Sequence, residues 1–239
     1  INVNDFSPFI LYSGAIDPRK NVESLLQAFS QLPDQLGHFK LVLVGKFLAL
    51  EDEQLDNWIQ TYKIDPNRVI KTGYVSDFDL VELYRKCSLF VFPSLHEGFG
   101  LPVLEAMSCG APVIGSNCTS IPEVIGLDSA MFDPKKVHDM KNLIIKALTN
   151  KHFNDELRTN SLVQSQKFSW SITALEIIKA CQFIIQKKSL EPKKYDWEYL
   201  LKQKENNLNL LLKKIRKMTI FKIIKDDDLF SQLAASIDK

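Results

Sequence analysis

Short, wholly apolar runs return at regular intervals through the first half of the chain. They read Phe9-Ile10-Leu11-Tyr12, Leu41-Val42-Leu43-Val44, Val69-Ile70, Leu89-Phe90-Val91-Phe92 and Pro112-Val113-Ile114-Gly115, with Ala130-Met131-Phe132 as a weaker sixth. Each is too short for a buried helix and rich in β-branched or aromatic side chains, so each predicts a strand. A strand with apolar side chains on both faces must be covered on both faces, which is the condition of a parallel sheet between two helical layers. Helical patterns fit between most of the runs, beginning with Val22, Leu25, Leu26 and Phe29 on one helical stripe. The fold class is therefore α/β: a doubly wound, parallel, Rossmann-like sheet. After Pro134 the strands stop, and residues 137–148, 153–163 and 172–185 read as C-terminal helices. The last of these is expected to pack back on the domain through Trp170, Leu175, Ile178 and Cys181.

Charge divides the chain where hydropathy does not. Between Lys187 and Lys225 there are twelve Lys or Arg against four Asp or Glu, although the whole chain of 239 residues carries a formal charge of only +1. We read residues 1–186 as the Rossmann-like domain and 187–239 as a basic amphipathic helical extension. Trp197, Leu201, Leu208, Leu211, Ile215 and Met218 recur near heptad spacing with Lys213, Lys214, Arg216 and Lys217 between them. Such a helix over 195–225 suits a membrane surface, a partner helix or the domain's own flank. The near-zero balance gives no case for nucleic acid as a partner. Cys87, Cys109, Cys118 and Cys181 form no CxxC pair and have no histidine at ligand spacing, so neither a disulfide framework nor a metal site is expected. No apolar run approaches the roughly 18–20 residues that span a bilayer. These features place the chain on the cytoplasmic side, free or held at the inner face of a membrane. The first residue, Ile1, suggests a piece of a longer polypeptide.

In a doubly wound sheet, ligands bind beyond the carboxyl ends of the strands. After the fourth run the chain reads Pro93-Ser94-Leu95-His96-Glu97-Gly98-Phe99-Gly100-Leu101-Pro102-Val103-Leu104-Glu105. Gly98 and Gly100 permit close approach of backbone to a ligand. Pro102 suits the first turn of a helix starting near Leu101, whose free amides and positive end would face an anion such as pyrophosphate. Glu97 stands before that helix and Glu105 one turn inside it, and a carboxylate can accept two hydrogen bonds from a vicinal diol. Taken singly, the two acids read as ordinary surface charges. Together with the glycines they suggest a sugar–phosphate ligand. After the first run comes Ser13-Gly14-Ala15-Ile16-Asp17-Pro18-Arg19-Lys20-Asn21. Arg19 and Lys20 at the start of a helix oppose its dipole, which is unhelpful for stability but suits a leaving diphosphate. Gly73-Tyr74-Val75-Ser76-Asp77 reads as a strand end followed by an Asp cap, and Lys46 marks another strand terminus. His96 reads as a loop residue, not a base.

The segment from Glu97 to Glu105 resembles the E-x7-E signature of the retaining group 1 glycosyltransferases, which have the GT-B fold. The flanks Phe92-Pro93-Ser94, Ala106-Met107-Ser108-Cys109-Gly110-Ala111-Pro112-Val113-Ile114 and Ile121-Pro122-Glu123-Val124 are similar too, and the likeness covers residues 9–170. The resemblance implies the donor-binding half of a GT-B enzyme, completed by a preceding Rossmann-like domain that carries the acceptor site. It implies Glu97 beside the transferred sugar and Glu105 on the nucleotide ribose. Backbone at Gly98, Phe99, Gly100 and Leu101 would meet sugar and phosphate, Val75 would hold the base, and Gly14, Arg19 and Lys20 would meet the diphosphate. Glu97 and Lys20 would be the catalytic pair. Ala15 stands where the family often has arginine. The Pro-Arg-Lys-Asn form resembles a branch rich in mannosyl and deoxyhexosyl transferases. The expected function is transfer from a GDP-mannose-like donor, with retention, to a glycan or lipid-linked acceptor in cell-surface polysaccharide synthesis. No cofactor or metal is expected, since no DxD ends a strand and Lys20 would do the metal's electrostatic work. A nucleotide-sugar epimerase, a sugar phosphorylase and a non-catalytic nucleotide-sugar-binding module are the alternatives. A Rossmann dehydrogenase is not expected, because no GxGxxG follows the first strand.

Overall fold

The computed structural model describes residues 2–186 together with Lys202, Gln203 and Asn206. The basic extension and the amphipathic pattern over 195–225 lie otherwise outside the described residues. The chain divides into two compact units, Ile1–Ala174 and Leu175–Lys239. The six strands among the described residues belong to the first unit: β1 (Phe9–Ser13), β2 (Lys40–Val44), β3 (Val69–Gly73), β4 (Leu89–Phe92), β5 (Val113–Ser116) and β6 (Met131–Phe132). The α-helices among the described residues are α1 (Val22–Ser30), α2 (Ala49–Thr61), α3 (Asp77–Lys86), α4 (Leu101–Ser108), α5 (Ile121–Ile125), α6 (Val137–Thr149), α7 (Lys151–Ser165) and α8 (Trp170–Gln186).

The strands form one sheet in the order β3-β2-β1-β4-β5-β6, and every neighbouring pair is parallel. The reversal of strand order therefore falls between β1 and β4, where Ile10 lies opposite Leu89 and Leu11 opposite Phe90. All residues of β1 and β4 are buried, as expected for central strands covered on both faces. One helical layer has α1 packed on α2 and α6; the other has α4 packed on α3, α5 and α7. On α1 the stripe Val22, Leu25, Leu26 and Phe29 is buried, and each such side chain contributes about 1.5–3 kcal/mol of transfer free energy. This is the doubly wound architecture expected from the apolar runs.

Three details differ from expectation. Ser76, not Asp77, caps α3: its hydroxyl accepts from the Asp79 amide at 3.2 Å, and Asp77 is the first helical residue. Arg19 and Lys20 do not begin α1. They end a separate 3-10 turn, Pro18–Lys20, which Asp17 caps and Asn21 separates from α1. The stretch over 172–185 is helical, but Trp170, Leu175 and Ile178 are exposed rather than buried.

The amino ends of the strands are tied for stability. On α7, Arg158 donates to the carbonyls of Gly110 at 3.0 Å and Cys87 at 3.2 Å. Those carbonyls precede β5 and β4. The loops at the opposite, carboxyl ends are thereby left to carry the chemistry.

Candidate active site

The loops that leave β1 and β4 meet across the point where strand order reverses. Beyond Ser13, the Gly14 amide donates to the Val44 carbonyl at 2.9 Å, and the chain turns over the Tyr12 ring. Tyr12 is buried, and its phenol donates to the Ala15 carbonyl at 2.8 Å. A Cβ on Gly14 would stand 2.7 Å from that phenol oxygen, and its φ of +153° is unfavourable for other residues. Burial, then the nearby charges of Glu97 and Asp17, push the Tyr12 phenol well above its ordinary pKa, so it remains a proton donor.

Lys20 reaches from this loop to the next. Its ammonium lies 2.6 Å from Glu97 Oε1, with the two side chains 21% and 13% exposed. It also lies 5.6 Å from the centre of the Phe92 ring. Ser94 donates its hydroxyl to the same carboxylate oxygen at 2.7 Å. The main chain around Glu97 is fixed in turn. Its amide donates to Thr119 Oγ1 at 3.0 Å, and the Ser120 hydroxyl donates to the carbonyls of Glu97 and Phe99. Thr119 holds φ of +52°, a conformation unusual for a β-branched residue.

Arg19 takes a different course. Its guanidinium grips Asp17 through two bonds of 3.0 Å and its side chain is 66% exposed. Hydrogen bonds from Arg19 hold the Asp17 carboxyl below the usual range, and the same pairing raises Arg19. Each cation of the first loop is thus matched to one carboxylate. Ala15 is exposed and leaves its side of the loop without charge.

Glu105 belongs to a neighbouring space. It is exposed on α4, where the Tyr84 phenol donates to its Oε2 at 3.2 Å. Burial is the main cause that raises the Tyr84 pKa, with the Glu105 charge adding to it. A cavity of about 870 Å³ opens here between α3 and α4, lined by Leu80, Tyr84, Phe99, Leu101, Leu104 and Glu105 among others. Glu97 and Lys20 do not line this cavity. The two carboxylates accordingly have separate surroundings, joined by the start of α4. No side chain caps that helix, so its positive end is available to a ligand.

The glycines before α4 are of two kinds. Gly100 has φ of +98°, and a Cβ there would meet Ile121 Cδ1 at 2.6 Å, so the fold itself requires glycine. Gly98 would place a Cβ in open space and has no left-handed backbone. Nothing in the fold accounts for its lack of a side chain, whereas a closely approaching ligand would. Val75 is buried at the end of β3, with Tyr74 exposed beside it; Lys46 and His96 are exposed. Sequence reasoning did not single out Ser94, Tyr84, Thr119 or Ser120. Ser94 lay within a flank of the signature, and the others carry no pattern that sets them apart. Chemically, the crevice offers a paired cation, a helix tip and the Glu97 carboxylate, and the neighbouring cavity offers the Glu105 carboxylate; each can hold hydroxyls.

The family described as glycosyl transferases group 1 matches residues 1–164. The chain is 47% identical over 179 residues to the serotype-specific mannosyltransferase WbdA of Escherichia coli, covering 74% of this chain and 22% of that protein. It is 37% identical to the O-antigen chain mannosyltransferase B of Escherichia coli, covering 74% of this chain and 46% of that one. Among solved structures, sucrose-phosphate synthase from Thermosynechococcus elongatus superposes with a TM-score of 0.67 at 27% identity, over 75% of this chain and 46% of its own. The chain thus spans about a fifth to a half of the length of these relatives.

Proposed function

The chain belongs to the group 1 glycosyl transferases, and from that premise we propose that it binds the nucleotide-diphosphate end of a sugar donor at the Lys20–Glu97 crevice. The observation that carries this reading is the 2.6 Å contact between Lys20 and Glu97, made across the strand-order reversal beside an uncapped helix start. A cation held there by a carboxylate can turn to a phosphate oxygen as negative charge develops on the leaving diphosphate. The α4 N-terminus adds its dipole to the same task. Lys20 and this helix end supply the charge for which other transferases use a metal, so no metal or cofactor enters the proposal.

In this reading Glu105 holds the ribose in the α3–α4 cavity, with Val75 backbone at the base. Gly98, Phe99, Gly100 and Leu101 follow the diphosphate and sugar, and Gly14 allows the first loop to pass close to them. Arg19 is paired with Asp17 at 3.0 Å, so it meets the diphosphate only in competition with that carboxylate. Glu97 orients the sugar. Its Oε1 already accepts from Lys20 and Ser94, which makes it a poor nucleophile and favours retention through same-face attack assisted by the leaving diphosphate.

The names of two relatives favour mannose as the sugar and a polysaccharide such as an O-antigen chain as the product; a GDP-mannose-like donor is our own extension of that reading. The acceptor, a glycan or a lipid-linked glycan, would meet a preceding Rossmann-like domain outside this chain. We place the reaction on the cytoplasmic side. Among the described residues no helix is long and apolar enough to cross a membrane.

Calorimetric titration of the 239-residue chain with GDP, UDP, dTDP and the matching monophosphates tests the donor site. One diphosphate should bind more tightly than its monophosphate, and Lys20→Ala should erase that preference. Absence of binding by every nucleotide would overturn the reading. Transfer from radiolabelled GDP-mannose by the longer polypeptide, with the anomeric configuration of the product read by NMR, tests the reaction and its stereochemistry.

A further inference from the structure

Lys20 carries its charge on a long flexible side chain, so its aim depends on how tightly its backbone is fixed. That backbone is cross-linked on both sides to the loop that bears Glu97. On one side the Arg19 carbonyl accepts from the Leu95 amide at 2.7 Å. On the other stands Asn21, in the left-handed conformation with φ of 56° and ψ of 36°, which asparagine tolerates better than most residues. Both amide hydrogens of its carboxamide are engaged: Nδ2 donates to the Pro93 carbonyl at 3.1 Å and to the Pro134 carbonyl at 2.9 Å. Its Oδ1 accepts from the Ser24 hydroxyl at 2.7 Å. Pro93 opens the stretch that carries Ser94 and Glu97, Pro134 follows β6, and Ser24 lies on α1. One side chain therefore ties three segments together immediately beside the lysine.

We infer that Asn21 is a positioning residue, an inference that rests on the donor reading of this site. Its carboxamide sets the distance between the Lys20 backbone and the Glu97 loop, and so places the ammonium where the donor's diphosphate arrives, without touching the donor. The same clamp chemistry occurs again away from the site. On α7, Asn154 donates to the carbonyls of Ser88 at 3.2 Å and Ala147 at 3.0 Å, at the amino end of β4. That residue provides a matched control, because its loss removes equivalent hydrogen bonds from the opposite end of the sheet.

The experiment compares wild type, Asn21→Gly, Asn21→Asp and Asn154→Ala for affinity toward the best-bound nucleoside diphosphate and its monophosphate, with thermal denaturation alongside. Glycine keeps the left-handed backbone and deletes the carboxamide. Aspartate keeps the shape but turns an oxygen toward two carbonyls, and it serves equally if the glycine variant does not fold. Both Asn21 variants should weaken diphosphate binding about tenfold and leave the monophosphate within about twofold. Asn154→Ala should lower the melting temperature yet leave both affinities unchanged. If wild type binds no nucleotide, the donor reading falls and the inference with it. If wild type prefers the diphosphate and the Asn21 variants keep that preference, or lose both affinities in parallel, the positioning role alone is overturned.

Discussion

A double-mutant cycle on Lys20 and Glu97 is the most direct measure of the site. The ammonium and carboxylate are 2.6 Å apart, and both side chains are mostly buried. Coulomb's law at that separation gives about 1.6 kcal/mol of attraction at the dielectric constant of water, and several times more inside protein. Desolvation of the two charges offsets much of the larger value. Exposed pairs contribute about 0.2–1 kcal/mol, whereas removing one member of a fully buried pair costs about 3–5 kcal/mol. With 21% and 13% exposure the pair falls between these limits. Lys20→Met and Glu97→Gln should each destabilise by about 2–3 kcal/mol, because each strands the other charge. The double variant should cost no more than either single change, giving a coupling energy of at least about 2 kcal/mol. For a domain of this size the single variants should lower the melting temperature by about 5–10 °C. Urea and thermal denaturation at low and high salt provide the assay, and the coupling should survive salt because the pair is partly shielded. Strict additivity, with coupling below about 0.5 kcal/mol, would show two independently solvated charges and remove the basis for a built site. Glu97→Gln also separates binding from chemistry. Freed from its carboxylate, Lys20 should hold a free diphosphate at least as tightly, while transfer by the longer polypeptide falls. A parallel loss of both would contradict an orienting role for Glu97.

The two glycines before α4 should respond oppositely. Gly98→Ala should leave the melting temperature within about 1–2 °C, since its Cβ meets nothing, yet weaken diphosphate binding measured by calorimetry. Gly100→Ala should cost about 2–4 kcal/mol in urea denaturation, through its left-handed φ and the collision with Ile121. Tyr84→Phe removes the bond to Glu105 and should weaken nucleotide binding by a few-fold, with equal effect on diphosphate and monophosphate. Thiol labelling should proceed from exposed Cys181 to Cys109 and Cys118, with Cys87 unreactive until the protein unfolds. Burial pushes the Cys87 thiol from 9.0 up to about 12. The folded state then retains a proton that the unfolded chain releases. The stability contribution is complete below pH 9 and is lost progressively toward pH 12. Cys87→Ala should flatten that part of the alkaline stability profile, read by urea denaturation.

What the sequence made legible follows from how strongly burial constrains each element. β1 and β4 are enclosed on both faces, so all their residues but the terminal Ser13 are hydrophobic or aromatic and the strands could be read directly. β3 lies at the sheet edge and is only half-buried. It therefore tolerates Lys71 and Thr72, and only its first two residues looked like a strand. The cap of α3 was misplaced by one residue because Ser76 and Asp77 are both good caps, and only the geometry shows which oxygen faces the Asp79 amide. The exposed apolar face of α8 was unreadable for the opposite reason. Amphipathic spacing says that a face wants cover, not what covers it.

The site was legible as two lists of residues but not as a meeting. Lys20 and Glu97 are 77 positions apart, and no spacing rule connects them. What brings them together is topology: β1 and β4 are neighbours only because strand order reverses between them, so their outgoing loops must share one crevice. Which of the two adjacent cations would cross that crevice was also beyond the sequence. Asp17 caps the 3-10 turn and presents both oxygens to the planar guanidinium fork of Arg19. The flexible ammonium of Lys20 is the one left to reach Glu97. The consequence bears on affinity. Asp17 cancels Arg19 and Glu97 cancels Lys20, so an arriving diphosphate competes with two carboxylates for the same two cations. The strength of donor binding must then come largely from the helix tip and from the cavity around Glu105, with the lysine contributing most when charge builds on the departing phosphate.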